Sequence, residues 1–96
     1  MDIATIAKKA EPIFRKNLVS YAAIFGSRAR GDNRPDSDVD VMVKFFQGAT
    51  LLTLAGVQRE LSAVLNLKAD VVTERSIHPA LRSNIEQDAK KIYEKK

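Results

Sequence analysis

The chain has no cysteine and a single histidine, His78. Disulfides, thiolate metal sites and thiol nucleophiles are thereby excluded, and one imidazole cannot build a histidine-ligated zinc site or a paired proton relay. Any metal must be held mainly by oxygen. There is no uninterrupted apolar stretch near the length that spans a bilayer, and the start, Met1-Asp2-Ile3, lacks the basic-then-apolar order of a secretory leader. A soluble, cytoplasmic protein without membrane attachment is therefore expected. Internal repeats and low-complexity tracts are also missing. With 96 residues, 45% of them hydrophobic, the sequence is too short for two independently folding units. One domain over residues 1–96 is expected, with no second substrate-binding lobe. Sixteen basic and 12 acidic side chains give a formal net charge of +4. That balance suits phosphate-bearing ligands or an acidic partner, and equally plain solubility.

The hydrophobic pattern alternates helix and strand. Ile3, Ile6, Ala7, Ala10, Ile13 and Phe14 recur at helical spacing, which predicts a helix over residues 2–17 with a kink or restart at Pro12. Residues 18–25 read as a buried strand that Gly26-Ser27 ends abruptly. Residues 27–31 have the form of one helical turn, with Ser27 at its cap and Gly31 at its exit. After a turn-rich stretch, residues 38–46 alternate, placing Val39, Val41, Val43 and Phe45 on one strand face and Asp38, Asp40, Met42 and Lys44 on the other. Thr50 caps an expected helix that carries Leu51, Leu54, Val57, Leu61, Val64 and Leu65 and ends near Asn66. Residues 67–73 form a third expected strand, with Asp70 opposite its apolar phase. Ile77, Leu81, Ile85, Ala89 and Ile92 then fall on a final helix, with Pro79 in its first turn and lysines at its end.

Chemistry concentrates on the acidic strand face. Asp38 and Asp40 leave the same face with Cα atoms roughly 6.5 Å apart, because each strand residue rises about 3.3 Å. If the apolar faces of both strands pack under the same helices, Asp70 points to that side as well. Three carboxylates in one place repel one another and raise each other's pKa values, whereas a hard cation such as Mg²⁺ is bound by such oxygens. Beside them, Gly26 permits close backbone approach, and the short turn at Ser27 presents N–H groups and a hydroxyl to phosphate oxygens. Arg28 and Arg30 stand close enough to add positive charge. A triphosphate fits between the two halves. Taken singly, Asp-Val-Asp, Gly-Ser and Asp70 are ordinary surface features; together they favour a site. His78 before Pro79 reads as a helix-start residue, and Arg30-Gly31-Asp32 as a chance match to an adhesion sequence.

Gly26-Ser27, ten intervening residues, then Asp38-Val39-Asp40 resembles the glycine-serine and paired-aspartate signature of the DNA polymerase beta-like nucleotidyltransferase superfamily. Gly26-Ser27-Arg28-Ala29-Arg30-Gly31-Asp32 followed by Arg34-Pro35-Asp36-Ser37-Asp38-Val39-Asp40 is similar to the minimal nucleotidyltransferase (MNT) family in particular, over nearly the whole chain. The resemblance implies an α/β (α+β) fold, a small mixed sheet with helices packed mainly on one face. It also implies that Asp38 and Asp40 bind Mg²⁺ together with a third acidic strand residue, matched by Asp70 in Lys68-Ala69-Asp70-Val71-Val72. These proteins are commonly encoded beside a HEPN-domain protein, many of the pairs being toxin–antitoxin systems.

On that footing the expected reaction is transfer of a nucleotide, AMP from ATP, to a hydroxyl with the help of two Mg²⁺ ions held by Asp38 and Asp40. Asp70 would orient the hydroxyl and receive its proton. Gly26, Ser27, Arg28 and Arg30 would bind the nucleotide. By analogy, the acceptor is a tyrosine of a HEPN toxin, which the chain would neutralise as antitoxin. With no residues left for a domain that would hold one, a nucleic acid is not expected as direct acceptor, and a third reading, a small basic nucleic-acid-binding module, lacks the patterned aromatic or basic face of such modules. The rival reading is an antitoxin that acts by binding alone.

Overall fold

The first helix begins where the sequence supplies a cap: the Asp2 carboxylate accepts the Thr5 N–H at 2.8 Å. In the computed structural model, which describes residues 1–95, this helix is α1 (Ile3–Lys16). It runs unbroken through Pro12, where a kink was expected. Proline removes one N–H donor to the carbonyl four residues back, and both Pro12 and Lys8 lie on the exposed side, where water can take that carbonyl. Ile6, Ala10, Ile13 and Phe14 form the buried stripe.

The remaining elements are β1 (Val19–Phe25), α2 (Ser27–Arg30), β2 (Val39–Phe45), α3 (Leu51–Leu65), β3 (Ala69–Thr73), a 3₁₀ turn (Glu74–Ser76), α4 (Pro79–Asp88) and β4 (Lys90–Glu94). They make a four-stranded sheet in the order β3-β2-β1-β4. β1 is antiparallel to both β2 and β4, whereas β2 and β3 are parallel and joined by the crossover helix α3. Thr50 caps α3 in a reciprocal pairing with Thr53, and Asn66 ends it in the left-handed conformation at φ 53°. His78 caps α4 by accepting the Ala80 N–H through Nδ1 at 3.0 Å, the helix-start role its position implied.

The alternation along β2 divides the molecule into two apolar layers. Val39, Val41 and Val43 join Ile6, Phe14, Val57, Leu61 and Leu65 in the main core beneath α1 and α3. On the other face Met42 packs with Ala23 and Ile77, flanked by Ile85 and Ala89 from the α4 region. Helices thus cover one face fully and the other in part. Leu51 and Val64, placed by spacing on the apolar stripe of α3, are exposed.

The C-terminal region departs from expectation. Ile92 lies not on the last helix but in β4, which gives four strands where three were read. A helix continued through Ile92 would have gained little, because no residue of α4 is buried and Leu81 is 54% exposed. As a strand, the same segment satisfies the open edge of β1 and buries Tyr93 against Phe14, with ring centroids 5.4 Å apart. Among the described residues the Tyr93 hydroxyl, which is buried, has no hydrogen-bond partner, which costs about 1–3 kcal/mol. Tyr93→Phe should therefore leave the thermal midpoint equal or higher, whereas Tyr93→Ala should lose about 3–5 kcal/mol of stability. A fall in midpoint for Tyr93→Phe in thermal denaturation would show that the hydroxyl is satisfied.

Candidate active site

The parallel register of β2 and β3 pairs Asp40 with Asp70, so the two carboxylates leave the same face of strands about 4.8 Å apart. Asp38 stands two residues before Asp40, at the entry to β2. The Lys68 ammonium lies 3.9 Å from Asp38 Oδ2 and 4.0 Å from Asp70 Oδ1. The structure thus brings the three expected aspartates together at one end of the sheet. Among the described residues, no group of three metal-ligating side chains is already drawn in to the spacing of a closed metal shell. Burial, then the charges of Asp70 and Asp38, hold the Asp40 carboxyl above its ordinary pKa, while Arg30 and Lys68 pull it down.

Gly26 lies directly against this cluster. A Cβ there would fall 2.5 Å from Asp40 Oδ2, and its backbone (φ 76°, ψ −153°) occupies a region essentially reserved for glycine. Gly26, not Ser27, is the N-cap of α2; Ser27 is its first helical residue, and Gly31 closes it in the left-handed conformation. Arg28, expected beside the phosphates, is engaged by the loop that precedes Asp38. Only 6% exposed, its guanidinium donates to Pro35 O at 3.1 Å and to Ser37 O at 2.9 Å and 3.2 Å. Every one of these acceptors precedes Asp38, so Arg28 braces the loop that delivers the first carboxylate. Arg30 is exposed and pairs with Asp32 (3.2 Å) and Asp88 (3.4 Å). A groove of about 780 Å³, lined by Phe45, Phe46, Gly48 and Leu54 among others, lies at the far end of β2 and holds none of the expected site residues.

The chain as a whole has counterparts among known proteins. The family described as polymerase beta, nucleotidyltransferase matches residues 8–96. The chain belongs to that family. Among the relatives of this nucleotidyltransferase is a Methanocaldococcus jannaschii protein provisionally named a protein adenylyltransferase, 43% identical over 89 residues, which cover 93% of this chain and 96% of the relative. A solved structure provisionally described as a minimal nucleotidyltransferase superposes with a TM-score of 0.79 at 34% identity, over 94% of this chain and 95% of that one. A further match, with a TM-score of 0.73, is to a complex of tri-AMPylated Shewanella oneidensis HEPN toxin with MNT antitoxin. At 18% identity, over 97% of this chain and 73% of that one, it shows a shared fold.

The nucleotidyltransferase family implies Mg²⁺, and the chemistry of the donor set, oxygen ligands only and on one face, fits it. A raised folded-state pKa means that ionising Asp40 costs stability as pH rises from the unfolded value of about 3.9 through the folded one. In chelator at pH 7, Asp40→Asn should therefore match or exceed the native thermal midpoint, with the gap closing in acid where Asp40 is protonated. A clearly lower midpoint at pH 7 would contradict this. Gly26→Ala, by contrast, should destabilise by about 1–3 kcal/mol in denaturant titration and displace the Asp40 carboxylate.

Proposed function

We propose that this nucleotidyltransferase is a Mg²⁺-dependent protein adenylyltransferase that transfers AMP from ATP to a tyrosine hydroxyl of a HEPN-type toxin and so serves as its antitoxin. The observation that carries the catalytic part is the register of Asp40 with Asp70 beside Gly26, which sets a carboxylate pair against a turn able to approach phosphate. Support for a protein acceptor comes from the name of the Methanocaldococcus jannaschii relative, and for AMP and a HEPN partner from the Shewanella oneidensis complex.

In this reading Asp38 and Asp40 would hold two Mg²⁺ ions, with Asp70 contributing a third carboxylate. Bound there, the metal supplies positive charge against the triphosphate and the departing pyrophosphate and makes the acceptor hydroxyl more acidic. The first-turn N–H groups of α2 and the Ser27 hydroxyl receive the outer phosphate oxygens. Arg30 adds charge from the exposed side of α2, and Arg28 contributes by fixing the loop ahead of Asp38. Asp70 accepts the proton of the attacking hydroxyl as that oxygen bonds to the α-phosphorus and the bond from that phosphorus to the pyrophosphate oxygen breaks. The carboxylates lie at an open sheet end, their side chains 46% exposed at Asp38 and 43% at Asp70, which a protruding tyrosine can reach.

Incubation with Mg²⁺, ATP and the HEPN protein encoded beside this chain should add one or more AMP units to a tyrosine of that protein, read by intact-mass spectrometry, and suppress its activity. The Asp38→Asn, Asp40→Asn double variant should lose transfer from α-labelled ATP while remaining folded. Equal neutralisation of the partner by that variant, with no mass change, would establish binding alone as the mechanism and overturn the enzymatic role.

A further inference from the structure

β3 is an edge strand, with β2 on one side and no strand on the other. Lys68 O accepts the Val39 N–H at 2.9 Å, and the alternation of the ladder turns the Asp70 peptide groups toward β2 and the Ala69 and Val71 N–H groups outward. Outward amides of an edge strand ordinarily face water or an added strand. Here they do neither. Ala69 N–H donates to Ser62 Oγ at 3.0 Å, and Val71 N–H donates to Gln58 Oε1 at 3.1 Å.

Both acceptors stand on α3, four residues apart, and both donors on β3, two apart. The two spacings match: four helical residues rise about 6 Å and two strand residues about 6.6 Å. The order is reversed, Gln58 preceding Ser62 while its donor Val71 follows Ala69, because the chain turns back through the left-handed Asn66. One turn of helix thus stands in for a neighbouring strand. The residue between the two braced amides is Asp70, in register with Asp40.

We propose that Gln58 and Ser62 are positioning residues for Asp70. They fix β3 from its outer side, so that the Asp70 carboxylate stays beside Asp40 against the repulsion of their like charges. The inference rests on the reading of Asp70 as a site carboxylate. Neither side chain touches substrate or metal in that reading; each acts through the backbone of β3. Partners that orient metal-binding side chains in this indirect way affect cation affinity by about tenfold or more.

The test uses the full chain and two readouts, amide hydrogen exchange by NMR and Mn²⁺ affinity by calorimetry. In the Gln58→Met, Ser62→Ala double variant, exchange at Ala69 and Val71 should accelerate and Mn²⁺ binding should weaken by about tenfold. Ser62→Thr, which keeps the hydroxyl, should retain native exchange at Ala69. Ile13→Val, a control in the main core, should lower stability without changing Mn²⁺ affinity. Native exchange at both amides in the double variant would refute the brace. Accelerated exchange with unchanged Mn²⁺ affinity would refute its role in positioning Asp70. Should the native chain bind no Mn²⁺, the proposed function fails instead, and the exchange rates alone decide the brace.

Discussion

Setting like charges side by side on a sheet opposes folding, and the parallel register of β2 with β3 commits this chain to it. Asp40 and Asp70 are lateral neighbours, Asp38 is two residues away, and burial together with these charges makes the Asp40 carboxyl harder to ionise. The fold must therefore hold these strands together by means other than the carboxylates. It does so through the opposite face, where Val39, Val41, Ala69 and Val71 are buried beneath α1 and α3. Since side chains alternate along a strand, burying that valine face fixes the acidic face at the same time. Core packing and the site are two sides of one register.

Around the acids, neutral and cationic groups act on the backbone rather than on the carboxylates. Arg28 ties down the carbonyls of Pro35 and Ser37, just before Asp38. Gln58 and Ser62 tie down the amides on either side of Asp70. Among the described residues, Lys68 is the cation that approaches Asp38 and Asp70, and its ammonium stands at 3.9 Å and 4.0 Å, loose enough to leave. A site organised this way keeps its acids in place while leaving their oxygens free for an incoming cation, which direct salt bridges would not.

Most of this was legible in the sequence, for identifiable reasons. The strict alternation over residues 38–46 fixed the face of Asp40, and the glycine-serine turn marked the end of β1. Thr50 and Asn66 bracketed α3 to within a residue. The failures have physical causes. Ile85, Ala89 and Ile92 fit a helical period over a segment too short to exclude a strand, and only the vacant edge of β1, invisible locally, decides between them. The sequence shows the charge of Arg28 but not its carbonyl partners, seven and nine residues on, so its bracing of the loop before Asp38 was not legible. Gln58 and Ser62 carried a weak signal, two polar residues four apart flanking Val57, Leu61 and Leu65. Nothing in the spacing showed that they face a strand edge.

Gly26 and Asp40 share one volume, since the space a methyl group would need at position 26 is filled by the carboxylate at position 40. The two positions are therefore sterically coupled. While Asp40 is retained, every substitution at Gly26 adds an atom where there is no room, so this glycine has no conservative replacement. A descendant that shortened residue 40 would relieve the steric half of that restriction and leave only the backbone angle to favour glycine. A larger residue at position 26 is thus sterically compatible only with a residue 40 shorter than aspartate.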